Sequence, residues 1–158
     1  MRKKSSAKNE SFTLIQTLEI MGITVEILTK TAVSTYIYDP NIGSKLKIRV
    51  LFRKELNKAL KDINISSLIM ASIYLERAGN LGRIPEITAE KYSKDPVDLI
   101  ADELIGQAIA VYIGGSRAIF EFSRLDRIKP GIIGKLPPFM DDCIAGLISG
   151  IMVKICSM

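Results

Sequence analysis

Three features of the sequence predict an all-α, single-domain bundle of about six or seven helices. Apolar residues recur at helical spacing along most of the chain, and no segment alternates like a half-buried strand. The apolar set is mostly Ile, Leu, Val, Ala and Met, which suits helix-on-helix packing. At 158 residues, 47% of them hydrophobic, the chain is long enough for one domain with a substantial core.

The elements follow in order. Residues 1–10 hold Arg2, Lys3, Lys4 and Lys8 ahead of any periodic segment and read as a basic, disordered tail, with the folded domain over 11–158. Ser11 to Met21 reads as a short helix ended by Gly22. Thr24 is placed to cap a second helix from Val25 to about Tyr38, with Glu26 in its first turn. Asp39 to Ser44 is a turn. Leu46 to Asp62 is amphipathic, with Ile48, Phe52, Leu56, Ala59 and Leu60 on one face and Lys47, Lys54, Lys58 and Lys61 on another. Asn64 or Ser66 caps a helix to about Arg77, which stops at Gly79–Gly82. A short helix follows around Thr88 to Tyr92. Asp95-Pro96-Val97-Asp98 is the strongest start signal in the chain and predicts a helix from Pro96 to Ile113, broken at Gly114-Gly115. A further helix spans Ser116 to about Arg124. The loop Asp126 to Pro138 comes next, and a last helix begins near Asp141.

Composition narrows the function. Four of the 22 basic residues lie before residue 9, and beyond residue 9 there are 18 basic residues against 17 acids. Four of the five net positive charges therefore precede any periodic segment, the body is nearly neutral, and no nucleic-acid partner is expected. There is no histidine. That excludes a Ser-His-Asp triad, a Cys-His pair, phosphohistidine chemistry and His-ligated zinc. Cys143 and Cys156 sit in apolar runs and read as reduced, buried core residues. The charged start lacks an apolar signal segment. The most apolar stretch, Cys143 to Val153, is well short of the roughly 20 residues that cross a bilayer. A soluble, cytoplasmic protein is expected. The apolar face of Ile144 to Val153 fits either the core or the seam of a homodimer, and a homo-oligomer is the expected state.

Three groups of residues bear chemistry. Asp102-Glu103 lies inside a helix that also carries Gly106. Arg124-Leu125-Asp126-Arg127-Ile128-Lys129 places one acid among three cations. Asp141-Asp142 opens the last helix. Each has a plain alternative: a solvated pair, a helix end with favourable cations, and simple capping. Taken as one site, the carboxylates would hold Mg²⁺, which polarises a phosphoryl group and acidifies a bound water. Lys129 and Arg124 or Arg127 would offset charge on the phosphoryl oxygens. Sequence spacing does not itself bring the three segments together.

At these residues the sequence resembles the phosphatidylglycerophosphatase A family. The shared pattern reads Asp102-Glu103 with Gly106-Gln107, then Asp126-Arg127-Ile128-Lys129-Pro130-Gly131, then Asp141-Asp142-Cys143-Ile144-Ala145-Gly146. The continuation Ile132-Ile133-Gly134-Lys135-Leu136 is similar to the soluble bacterial and archaeal branch. The resemblance implies a multihelical fold and hydrolysis of a phosphomonoester that depends on Mg²⁺ or another divalent metal. Family substrates include phosphatidylglycerophosphate and, in soluble archaeal members, α-ribazole 5′-phosphate of cobalamin synthesis. The lack of hydrophobic spans favours a water-soluble phosphomonoester. Peripheral contact with an anionic membrane through the tail and the Lys47/Lys54/Lys58/Lys61 face is weighed below a solvated helix surface. On this reading Asp102, Glu103, Asp126, Asp141 and Asp142 are metal-binding or water-activating groups, and Lys129 binds phosphate. Glu76 is a more distant contributor. The competing expectation is a non-catalytic helical binding or scaffold protein that keeps the fold, with solvated or cap-bound acids.

Overall fold

A computed structural model describes residues 12–158. The expected basic tail lies outside these residues. Among them the chain forms eight α-helices and one 3₁₀ turn, without a strand. The helices are α1 (Leu14–Ile20), α2 (Val25–Thr35), α3 (Lys45–Ala59), α4 (Ile63–Asn80), α5 (Ala89–Tyr92), α6 (Ala101–Gly114), α7 (Ala118–Ile128) and α8 (Pro138–Cys156). The 3₁₀ turn, Ile133–Lys135, joins α7 to α8.

Several starts follow capping chemistry. Thr13 and Gln16 form a reciprocal capping box at α1, and Thr24, Ser44 and Thr88 each accept a backbone N–H at the start of α2, α3 and α5. Asp62 caps α4 through the N–H groups of Asn64 and Ile65, in place of the expected Asn64 or Ser66. The turn between α2 and α3 closes on Tyr36, whose hydroxyl donates to the Gly43 carbonyl and accepts from the Asp39 N–H.

Several expected boundaries move, and α2 stops at Thr35, after which the backbone turns extended, rather than near Tyr38. The Asp95-Pro96 signal does not open α6, which begins at Ala101. Asp95 adopts φ +48°, not the extended backbone of an N-cap, and the Asp98 carboxylate pairs with Lys91. α7 continues past Arg124 to Ile128, so Asp126 and Arg127 are helical rather than in a loop. α8 starts three residues early, with Pro138 at its first position. Cys156 is exposed rather than buried, whereas Cys143 is buried as expected.

α8 occupies the centre. Every residue from Phe139 to Met152 is buried, as a helix apolar all round must be. The stretch from Ile144 is therefore core within one chain. α2, α3, α4, α6 and α7 pack around it.

The tightest crossing is α6 on α8. A Cβ added at Gly106 would stand 2.5 Å from the Asp142 carbonyl oxygen and 2.6 Å from the Phe122 ring. Gly146 faces the Gly106 carbonyl, and Gly114 meets Gly150 further along. Residue numbers rise together along both helices, so the two run parallel with their N-terminal turns at the same end. Alanine in an ordinary helix interior is better than glycine by up to about 1 kcal/mol. At Gly106 the sign should reverse. Gly106→Ala should lower stability by about 1–3 kcal/mol in urea unfolding, through overpacking against the α8 backbone.

Candidate functional site

The parallel crossing brings the acids of α6 and α8 to one end of the bundle. Asp102 lies in the first turn of α6 and Asp141 in that of α8, where helix dipoles favour negative charge. Asp102, Asp141 and Asp142 are buried, at 3%, 6% and 3% exposure. α7 delivers Asp126 to the same place, and Lys129 follows directly at its C-terminal end.

Lys129 organises the acids. Its Nζ donates to Asp126 Oδ1 at 2.7 Å and to Asp141 Oδ2 at 2.6 Å, and it stands 3.8 Å from Asp142 Oδ1. The residue sits in the left-handed region, φ 44° and ψ 54°, where glycine is the usual occupant of a helix C-terminus. A lysine there costs conformational energy, so the side chain itself is what the position requires. Thr31 of α2 braces the loop by accepting the Ile132 N–H.

Asp142 is the least satisfied acid. Its Oδ1 is buried without a hydrogen-bond partner. Burial pushes its carboxyl up to about 9, reinforced by Asp126, then Asp141 and Asp102. Burial likewise raises Asp102 to about 6. It raises Asp141 to about 6 despite the ion pair with Lys129. For Lys129 itself burial acts downward, but the bonds to Asp126 and Asp141 outweigh it and hold the ammonium above the ordinary lysine value.

The other expected residues are placed differently. Glu103 is exposed beside the cluster, and its backbone N–H bonds Asp102 Oδ1. Arg124 turns away: it pairs with Glu121 and donates to the Thr35 carbonyl of α2. Arg127 is exposed, with no ion pair among the described residues. Glu76 is buried and accepts the Phe139 N–H at 3.1 Å, so α4 caps the start of α8 from across the bundle. Tyr92 was not singled out by the sequence. It is buried with its ring stacked on Phe139 and its hydroxyl unpartnered, and Gly79 leaves the space it fills. Burial and then the neighbouring Glu76 carboxylate push its ionisation well up. Asp95 adds charge near Asp102 and Asp141.

The donors suit a hard divalent cation, since they are carboxylate oxygens and one of them, Asp142 Oδ1, is buried and unsatisfied. As the side chains stand, no three acids among the described residues are grouped to hold an ion. The Lys129 ammonium hydrogen-bonds Asp126 and Asp141 and lies at the edge of ion-pair distance from Asp142, so a single positive charge faces several carboxylates and Asp102 and Asp142 have no hydrogen bond from a cation.

The model of the family described as phosphatidylglycerophosphatase A matches residues 14–157. An uncharacterized protein of Methanocaldococcus jannaschii is 40% identical over 113 residues, covering 69% of this chain and 86% of the relative. The fold matches the low temperature requirement C protein of Listeria monocytogenes, with TM-score 0.77 and 17% identity over 91% of this chain and 92% of that one. It also matches protein ypjQ of Bacillus subtilis, with TM-score 0.76 and 22% identity over 91% of each chain.

In the unfolded chain Asp142 loses its proton near the ordinary value of 3.8, but in the fold it keeps the proton to about 9. Between those values the folded state holds more protons, so stability falls as pH rises. Asp102 and Asp141 act in the same direction up to about pH 6. With chelator present, the melting temperature should fall steadily from pH 5 to 9. Asp142→Asn should flatten that fall and raise the melting temperature at pH 8.

Proposed function

The chain belongs to the phosphatidylglycerophosphatase A family, and from that premise we propose a divalent-metal-dependent phosphatase that hydrolyses a phosphomonoester at the shared end of α6 and α8. A phosphatase-type role goes with the family. The observation that carries the rest is the unpartnered Asp142 Oδ1, buried among acids and opposite a lysine.

Asp102 and Asp142 would hold the metal, Mg²⁺ or another hard divalent ion, which when bound supplies polarisation of the phosphoryl group and an acidified water. Lys129 has three ammonium hydrogens. Asp126 and Asp141 engage two of them. The third is left to donate to a phosphoryl oxygen, and the two acids keep the ammonium aimed. Asp126 is the most solvent-open acid around Lys129, its side chain 28% exposed against 9% for Asp141 and 4% for Asp142. On this reading it would take the proton of the attacking water. Burial of Asp141 and Asp142 keeps bulk water from weakening these interactions. Glu76 and Tyr92 set the position of α8 from the side of α4. The leaving group is either the lipid part of phosphatidylglycerophosphate or a soluble alcohol such as that of α-ribazole 5′-phosphate.

Purified protein should release phosphate from one of these two substrates with Mg²⁺ and lose the activity in chelator. Asp142→Asn and Lys129→Ala should each lower kcat on the order of 100-fold or more while the fold persists by circular dichroism. The responding substrate identifies the leaving group. No release from either, together with no Mg²⁺ binding by calorimetry, would replace this reading with a non-catalytic binding role.

A further inference from the structure

α2 turns Ile27, Lys30, Thr31 and Ser34 onto one face, and across from them stand Ile132 and Lys135 of the segment that follows Lys129. Together with Gly131 they line a cavity of about 440 Å³. It is larger than the cavity of about 160 Å³ beside Glu55 and that of about 200 Å³ beside Cys156. None of its lining residues belongs to the acid cluster.

The cavity is chemically lopsided. It receives two lysines from different elements and no acid. Neither Lys30 nor Lys135 has an ion-pair partner among the described residues. Glu26, one turn before Lys30 and the nearest acid on its helix, is engaged by Arg49 and Arg53 of α3. Two ammonium groups facing one cavity repel each other, and an anion between them relieves that repulsion. The lining also holds hydrogen-bond donors without an acceptor. Thr31 accepts the Ile132 N–H, and its own hydroxyl hydrogen has no acceptor among the described residues. The Gly131 N–H likewise has none. Ile27 and Ile132 supply an apolar wall, so the cavity suits an anion that carries an apolar group.

We propose that this cavity is a second ligand site, for an organic phosphate or phosphonate, separate from the acid cluster. The anionic group lies between Lys30 and Lys135 and takes the Thr31 hydroxyl as a donor, while the organic part rests on Ile27 and Ile132. Occupancy ties α2 to the 3₁₀ turn, on the far side of the loop that positions Lys129. The proposal does not depend on the phosphatase reading, because it concerns residues outside the acid cluster and is tested by binding alone.

The test is a titration of the full-length ¹⁵N-labelled protein with phenylphosphonate, whose carbon–phosphorus bond a phosphatase does not cleave, in chelator at neutral pH. Backbone amides of residues 27–34 and 131–135 should shift. Lys30→Ala combined with Lys135→Ala should weaken binding about tenfold or more. Both lysines are exposed and unpaired, so the spectrum elsewhere should stay that of the wild type. Lys47→Ala with Lys54→Ala removes the same charge from α3 and should leave the affinity within about twofold. Shifts centred on Asp102, Asp126 and Asp142 would overturn the proposal. So would undiminished binding by the Lys30/Lys135 variant, equal weakening by both variants, or no binding at all.

Discussion

The structure depends on the approach of two helix backbones to within the space that a methyl group would fill. Gly106 and Gly146 let α6 and α8 meet carbonyl against Cα, and Gly114 and Gly150 repeat the contact further along. Contact this close fixes the register of the two helices. In a parallel pair it also fixes which residues share an end. Asp102 stands one turn before Gly106, and Asp142 stands one turn before Gly146. The glycine that permits the crossing is thus directly coupled to the carboxylate the crossing delivers, and a side chain at either glycine would displace an acid as well as a helix. The cost of glycine inside a helix is offset by packing against the helix at the centre of the bundle.

Delivering acids to one buried end sets an electrostatic problem. Asp102, Asp141 and Asp142 lie within the same enclosed region, Asp126 adds a fourth carboxylate, and Lys129 is the cation that the structure places among them. The N-terminal dipoles of α6 and α8 ease the repulsion but do not remove it. The protein's response is visible in the raised proton affinities, which keep part of the charge neutral. Such an arrangement destabilises the fold at neutral and alkaline pH. Burial of unpaired carboxylates is a poor way to build a core, and strongly perturbed acids grouped in this way are more common at functional sites than in structural cores. Simple capping, the plain alternative for Asp141-Asp142, does not describe this end of α8. The helix begins at Pro138, and Glu76 serves the Phe139 N–H instead.

Much of the fold was legible because local chemistry and packing agree. Thr24, the turn at Asp39 to Ser44, the lysine-faced helix α3 and the stop at Gly79 to Gly82 all stand where their residues suggest. The failures come from signals that tertiary structure overrides. Asp95-Pro96 has the residues of a helix start, but the backbone of Asp95 is left-handed and Asp98 is drawn to Lys91, so α6 waits until Ala101. Pro138 was the better start signal for α8 and was hidden in a segment dense with proline and glycine. The extension of α7 explains why Arg124 leaves the site. Once residues 118–128 are helical, Arg124 and Asp126 cannot share a face, and the guanidinium meets α2 instead. Glu76 and Tyr92 could not be placed from spacing at all, because their contacts with α8 are created only when α4 packs across it. That the three acidic segments meet is likewise a property of the crossing, which Gly106 and Gly146 hint at only once their helices are known to be neighbours.

Lys129 draws these strands together. A helix C-terminus that ends in the left-handed region ordinarily selects glycine, and here Gly131 follows two residues later in the same region. Glycine at 129 would have relaxed the backbone. Lysine instead accepts the cost and fills the space between Asp126 and Asp141, with its carbonyl packed so closely on Gly134 that a Cβ there would stand 2.6 Å away. The left-handed turn is what reverses the chain and aims the side chain back at the acids of its own helix and of α8. A lysine one residue earlier, in helical conformation, would project with Ile128 into solvent. The strained backbone and the buried carboxylates are therefore parts of one arrangement. The acids need a cation that cannot diffuse away, and the turn places one there while leaving Asp142 unsatisfied. That remaining imbalance is the feature on which the proposed metal reading rests.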